Sequence, residues 1–366
     1  MKKYLVLLLA VSGLLMGCSA EKTSSGREVD AVAEQQTYQW KLVSTFPKNF
    51  PGLGTAPEYF AERVEAMSGG RLKIKVYGSG QLVPALEVFD TVSQGTAEMG
   101  MGAAYYWKGK APASVLFTSI PFGLNAQEMN GWLHHGGGLE LWRELYEPFN
   151  LIPFAGGSTG VQMAGWFNRE INSLEDLKGL KMRIPGLGGE VITRAGAESV
   201  TMAGSDIYTA LQTGVIDATE WVGPYNDLAF GFHQIAKYYY YPGWHEPGPI
   251  LELVVNKDAY ESLPKNLQAI VTTAARATNG EMLDEYTAHN NAALNTLINE
   301  HNVEVRALPD EVLKELQRLT QEVLAENMSD PMFKKVYQSQ QAFKEQSVNY
   351  HKISEQAYYN IRTQVE

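Results

Sequence analysis

Between Tyr38 and Val76 the spacing of apolar residues changes period twice, and few folds can use such a pattern. Tyr38, Trp40 and Leu42 alternate with Gln39 and Lys41, the period of two that a strand requires. From Pro57 to Met67 the residues Tyr59, Phe60, Val64 and Met67 fall on one helical face, and Ser68-Gly69-Gly70 stops the run. Leu72, Ile74 and Val76 then alternate with Lys73 and Lys75, which predicts a half-exposed strand. Strand, helix and strand at this spacing predict a βαβ unit, a parallel sheet and an α/β fold. With 366 residues the chain is long enough for two such units, each with its own core.

Two later segments resemble each other. Leu86 to Gln94 reads as a helix ended by Gly95, followed by a strand over 97–102 and the cluster Tyr105-Tyr106-Trp107. Asp206 to Thr213 reads as a helix ended by Gly214, followed by Val215 to Ala218 and then Glu220-Trp221. Glycine suits the left-handed residue that closes a helix, and ligands of open α/β sheets bind beyond the carboxyl ends of the strands. One segment in each lobe would set the two clusters facing each other across a cleft. A second lobe reads from about Gln162 to Leu253, with Ser173 and Asp176 as a capping box and Arg183 opposite Leu180, Met182 and Ile184. Beyond Leu253-Val254-Val255 the pattern is helical to the end. After Pro331 a long stripe, from Phe333 through Val336, Tyr337, Phe343, Val348, Ile353 and Tyr358 to Ile361, needs a surface to pack on, in its own chain or a partner's.

The amino terminus predicts export, by a lipoprotein signal or by an ordinary secretory signal with an incidental Cys. Lys2 and Lys3 precede an apolar run from Tyr4 to Met16, too short to span a bilayer as a mature helix, and it ends at Gly17-Cys18. This pattern is similar to a bacterial lipobox, in which Cys18 would become the acylated first residue. Cys18 is also the only cysteine, so the chain has no internal disulfide. Removing residues 1–17 takes away Lys2 and Lys3 and no acid, moving the net charge from −11 to −13. That balance argues against nucleic acid as a partner, because phosphate binding needs clustered Lys and Arg.

Several motifs invite an enzymatic reading. Gly156-Gly157-Ser158-Thr159-Gly160 matches the nucleophile elbow of serine hydrolases, and His135-Gly136-Gly137-Gly138 looks like their oxyanion loop. The elbow needs a helix after its Ser, whereas Val161, Met163, Trp166 and Phe167 predict another extended segment. The histidines have no H-x-x-x-H spacing that would support zinc. What remains are charges in apolar surroundings: Arg183 in Lys-Met-Arg-Ile-Pro, Glu220 before Trp221, and Glu246 in Pro-Gly-Trp-His-Glu-Pro-Gly. On a strand, a lone Arg is ordinarily a surface ion pair. A Glu flanked by Trp and Pro is more prone to burial, and a buried charge must be paired or bind a metal. Arg183 would suit a carboxylate ligand, and two close carboxylates would need a cation. An enzyme using Glu220 or Glu246 as acid or base, and a lipid-anchored interaction protein, are the competing readings.

At these residues the chain resembles the solute-binding component of the tripartite ATP-independent periplasmic (TRAP) transporters. The resemblance rests on Gln94-Gly95-Thr96-Ala97-Glu98-Met99, on the run from Leu174 to Pro185, and on Ala210-Leu211-Gln212-Thr213-Gly214-Val215-Ile216-Asp217. More narrowly, the runs Glu220–Asp227 and Tyr241–Gly248 are similar to the branch that binds 2-oxo and 2-hydroxy monocarboxylates such as pyruvate. The resemblance implies a periplasmic receptor, not an enzyme, with TRAP membrane subunits as partners and two α/β lobes that close on the ligand. It implies that Arg183 binds the substrate carboxylate. Gln162, Glu220, Glu246 and Trp221 would then surround the substrate and a cation, sodium or calcium, with Tyr105 and Tyr106 on the facing wall. It also implies a homodimer through the C-terminal helix. The expected organisation is a signal segment (1–17), a tether (18–37), and a first lobe of 38–161 with about 254–295. A second lobe of 162–253 with about 296–330 and a dimerisation helix (331–366) complete it.

Overall fold

The structure is a computed structural model and describes residues 36–362, so Cys18, the signal-like segment and the tether up to residue 35 lie outside the described residues. Among the described residues the strands are β1 (Tyr38–Ser44), β2 (Leu72–Tyr77), β3 (Met99–Gly102), β4 (Leu151–Ser158), β5 (Gly165–Phe167), β6 (Lys181–Arg183), β7 (Glu198–Val200), β8 (Ala218–Thr219), β9 (Tyr238–Tyr241), β10 (Ile250–Asn256) and β11 (Glu304–Ala307). They form two sheets, ordered β2-β1-β3-β10-β4 and β11-β9-β5-β8-β6-β7.

The opening βαβ unit forms as its periodicity predicts. The helix Ala56–Met67 joins β1 to β2, which pair in parallel, and β2 exposes Lys73 and Lys75 while burying Leu72 and Val76. β3 also pairs with β1 in parallel. The sheet as a whole is mixed, however, because β10 enters antiparallel between β3 and β4. Every residue of β10 is buried, as befits a central strand covered on both faces. Ile250 already pairs with Ser158, so the chain has rejoined this sheet before residue 253.

In the second sheet β6 lies between β7 and β8 and is parallel to both, while β5 runs antiparallel to β8 and β9. Gly95 and Gly214 both carry φ +73° at the ends of their helices, the conformation in which a side chain is costly. The Ser173–Asp176 capping box is present in full. A helix of 35 residues, Lys265–Asn299, about 52 Å long at 1.5 Å per residue, packs on β4 and on the helices Ala56–Met67 and Pro224–Phe230.

Three expectations need amending. The chain after Val255 is not wholly helical: Glu304–Ala307 forms an edge strand on β9, and its alternation of Glu304 and Arg306 with Val305 and Ala307 is too short to stand out between two helices. The last helix is two helices, Pro331–His351 and Glu355–Arg362. Its stripe also divides: Phe333 and Val336 are buried in the chain's own core, whereas Tyr350, Ile353, Tyr358 and Ile361 are exposed. Ser158 ends β4 fully buried and no helix follows it before β5, so no nucleophile elbow forms. His135 and the glycines after it simply turn the chain between the helices Ala126–His135 and Gly138–Tyr146.

Candidate functional site

Arg183 ends β6 and Glu220 directly follows β8; these strands are parallel with Arg183 opposite Thr219, so the two residues emerge side by side at the carboxyl edge. The Glu220 backbone N–H donates to the Arg183 carbonyl at 3.2 Å. The Arg183 side chain is 1 % exposed, not the surface group that a lone strand Arg ordinarily is. Its Nη1 donates to the Glu220 carboxylate and, at 3.3 Å, to the Glu220 carbonyl. Nη2 donates to the Tyr106 hydroxyl at 3.3 Å and to the Met202 carbonyl at 3.4 Å. The guanidinium carbon stands 5.2 Å from the Trp221 ring centroid, within cation–π range. Burial works against the Arg183 charge, but the fields of Glu220, Tyr106, Tyr105 and Glu246 together outweigh it and the guanidinium is held more firmly protonated than usual.

Glu246 arrives from the turn between β9 and β10. Its carboxylate accepts from the Gln162 side-chain amide at 2.8 Å, and its carbonyl accepts from the Gln162 backbone N–H at 3.1 Å. The turn must come this close: a Cβ on Gly243 would lie 2.1 Å from the Gln162 carbonyl oxygen, so only glycine fits. Burial, and then repulsion from Glu220, push the Glu246 carboxyl well above the usual carboxylate range. His245 is buried beside it, with Nε2 3.2 Å from the second oxygen of Glu220. Glu220, His245 and Glu246 each present a ligand atom, all within 4.8 Å of one another.

Beside these groups lies a small cavity. Tyr105, Tyr106, Gln162, Trp221 and Glu246 line it, with Thr159, Phe46, Leu53, Val222 and Leu251 completing the wall. Tyr105 and Tyr106 come from the short turn after β3, so both sheets contribute. Burial first, then the nearby glutamates, raise the Tyr105 hydroxyl well above its usual range, and burial likewise raises that of Tyr106. A larger open groove touches the other side of these tyrosines, but its charged residues are partly exposed and already paired, Lys108 with Glu190 and Arg194 with Glu326. The buried charges point to the smaller cavity.

One cation, Arg183, faces two buried carboxylates, so the cavity has room electrostatically for a further positive charge. The side-chain oxygen of Gln162 is buried without a hydrogen-bond partner among the described residues. Two carboxylates and an idle amide oxygen are hard donors that fit sodium or calcium. The Nε of Arg183 and the Nδ1 of His245 are likewise buried without partners among the described residues.

Of the sequence candidates, Tyr105, Tyr106, Gln162, Trp221 and Glu246 line this cavity, and Arg183 and Glu220 adjoin it, bonded to each other and, through Arg183, to Tyr106. His245 was not a sequence candidate for the site. Adjacent residues of a strand point to opposite faces; only the Gly-Pro-rich turn lets His245 and Glu246 converge, and those turn residues were the available signal. Phe46, Leu53 and Leu251 carry no sequence mark that separates them from ordinary core residues.

A family model described as bacterial extracellular solute-binding protein, family 7 (DctP), matches residues 42–330. A monocarboxylate 2-oxoacid-binding periplasmic protein of Nostoc sp. is 43% identical over 348 residues, spanning 95% of this chain and 94% of its own. A TRAP periplasmic solute-binding protein of Pseudoalteromonas atlantica, solved with sodium and pyruvate, is 43% identical and superposes with a TM-score of 0.87, covering 89% of this chain and 99% of its own. One from Colwellia psychrerythraea, solved with calcium and pyruvate, is 43% identical with a TM-score of 0.86 and the same coverage, 89% and 99%. A Bordetella bronchiseptica relative, 36% identical with a TM-score of 0.89 and covering 90% and 98%, is a dimer with copurified calcium and picolinate in one site.

Proposed function

The chain belongs to the DctP family of bacterial extracellular solute-binding proteins and is the substrate receptor of a TRAP transporter; from that premise we propose that its buried cavity takes a small 2-oxo or 2-hydroxy monocarboxylate, pyruvate first, together with a sodium or calcium ion. The observation that carries this reading is the buried Arg183 guanidinium, bonded to Tyr106 and set over Trp221, which both line a cavity whose wall is mainly aromatic and aliphatic with Gln162, Thr159 and Glu246 as its polar members. A guanidinium matches a carboxylate through two parallel N–H···O bonds. Tyr105 and Tyr106 offer hydroxyls to the polar end of the ligand, and Phe46, Leu53 and Leu251 face its short alkyl end. Glu220, Glu246, the free amide oxygen of Gln162 and the main chain of Trp221 would hold the cation, which supplies the positive charge that the two glutamates and a ligand carboxylate require. The ligand leaves unchanged. Mass spectrometry of small molecules released on denaturing the purified protein should find a 2-oxo or 2-hydroxy monocarboxylate. Conversion of pyruvate on incubation with the protein would refute a pure receptor.

The two sheets mark the two lobes in this reading. The first lobe takes residues 38–161 and the whole of β10, the second takes the strands from β5 to β9 with β11, and the helix Lys265–Asn299 serves both. Cys18 anchors the mature protein to a membrane through lipid. Fatty-acid labelling of the wild type, lost in Cys18→Ser, tests this; equal labelling of the variant rejects it.

The exposed apolar residues Tyr350, Ile353, Tyr358 and Ile361 support burial on a second copy, giving a homodimer. Phe333, Val336 and Gln340 are buried and must be left in place, because Gln340 donates to the Leu116 carbonyl at 3.1 Å. Truncation after His351 is therefore expected to give monomers by light scattering with ligand binding retained. A full-length protein already monomeric at micromolar concentration rules the dimer out.

A further inference from the structure

Two buried carboxyls stand behind the walls of the cavity without lining it, and their surroundings match. Glu252, at the centre of β10, accepts from the Trp107 indole N–H and, at 2.8 Å, from the Tyr146 hydroxyl. Asp227 accepts from the Trp166 indole N–H at 3.0 Å and from the Tyr239 hydroxyl at 2.7 Å. Its other oxygen faces the Val222 backbone N–H at 3.3 Å. Glu252 is 0 % exposed and Asp227 1 % exposed, and burial pushes each carboxyl up to about 7.

Neither group is what a core needs for stability. A buried acid must be desolvated, and an apolar side chain of similar volume ordinarily serves as well or better. What a carboxyl offers instead is two acceptor oxygens that tie separate elements together. Glu252 ties β10 to the turn Ala104–Trp107 and to the end of the helix Gly138–Tyr146. Trp107 immediately follows Tyr105 and Tyr106, and the ring of Phe89 packs against both Trp107 (5.5 Å between centroids) and Tyr146 (5.3 Å). Asp227 ties the helix Pro224–Phe230 to β5 and β9, and it holds the backbone of Val222, which follows Trp221 and lines the cavity. Trp166 and Tyr239 stack on each other at 4.1 Å.

We infer that Glu252 and Asp227 are a matched pair of positioning residues: one fixes the Tyr105–Tyr106 wall and the other the Glu220–Val222 wall of the ligand cavity, each through an indole and a phenol. This rests on reading the cavity as a carboxylate receptor. Interiors are close-packed and pass displacement on to their neighbours, and a binding constellation keeps its geometry only when the residues behind it are themselves fixed.

The test uses Glu252→Gln and Asp227→Asn in the full mature chain. Each variant keeps one acceptor oxygen and sets an NH2 group against a donor. Amide hydrogen exchange should quicken at residues 104–107 in the first and at 220–223 in the second, with β2 as the unaffected control. Pyruvate affinity by calorimetry should fall about tenfold in each, the size common for residues that support a binding group from behind. Unchanged exchange at both walls overturns the inference, and so does exchange raised equally at β2, which marks a merely structural role. Loosened walls with affinity within twofold of a wild type that binds pyruvate overturn it as well. A wild type that binds no monocarboxylate defeats the receptor reading instead, and the exchange data alone then decide on the two carboxyls. If either variant fails to fold, Trp107→Phe and Trp166→Phe remove the indole bond of each carboxyl from the donor side, leave the phenol bond in place, and should loosen the same wall in the same direction.

Discussion

Replacing Arg183 by lysine should weaken pyruvate binding by about 1.5–3 kcal/mol, roughly ten- to a hundredfold, the worth of a hydrogen bond to a charged group. Lysine keeps the positive charge beside Glu220 but gives up the planar fork. In the native site that fork reaches Glu220, Tyr106 and Met202 at once, and an ammonium on a flexible stem cannot meet all three and a ligand as well. Arg183→Met should do worse, and in a different way. It leaves the Glu220 carboxylate, 0 % exposed, without its counter-charge, and breaking a buried pair from one side costs about 3–5 kcal/mol of stability. Calorimetry separates the two effects from thermal unfolding. An Arg183→Lys protein with wild-type affinity would remove Arg183 as the anion anchor.

Stripping every metal, with chelator and in sodium-free buffer, should weaken pyruvate binding about tenfold or more, and Glu220→Gln should weaken cation and pyruvate together. The argument is a balance of charge. Arg183 brings one positive charge, Glu220 and Glu246 two negative ones, and a monocarboxylate a third. A closed cavity with low-dielectric walls does not hold that surplus; it takes up protons or a cation. The high proton affinity of Glu246, caused by burial and by Glu220, reflects the same imbalance before any ligand arrives. If the cation is the remedy, adding sodium or calcium back restores affinity at fixed pH. Affinity indifferent to every metal and to Glu220→Gln would sink the cation bridge while leaving Arg183 untouched.

The parts legible in the sequence are those where local chemistry and tertiary surroundings agree. β1, the helix Ala56–Met67 and β2 each present one apolar face, and Ser173 and Asp176 satisfy each other within one turn. Arg183 was harder to read. On a strand of three residues its alternation with Met182 suggests an exposed side chain, yet Trp221 and the Tyr105–Tyr106 turn close over it, and both lie far away along the chain. β7 and β11 are short and sit at the edges of their sheet, so their hydrogen bonds, not their apolar content, make them strands. The break at Lys352–Ser354 carries no Gly or Pro and leaves no mark that a stop signal would. Glu252 sits in Ile-Leu-Glu-Leu-Val-Val, where a single acid looks like a solvent-facing interruption; only Trp107 and Tyr146, from two other elements, make its burial tolerable.

The position of β10 between β3 and β4 has a bearing on when this protein can fold. The first two-thirds of the chain contains four of the five strands of the first sheet, but β3 and β4 have no bridge between them until residue 256 has been made. Until then each presents a bare edge, and the Trp107 indole lacks the acceptor that Glu252 will give it. A chain destined for the far side of a membrane gains from that order of events. Its central strand is the last of the five to be made, so the sheet cannot close around β10 before most of the chain exists.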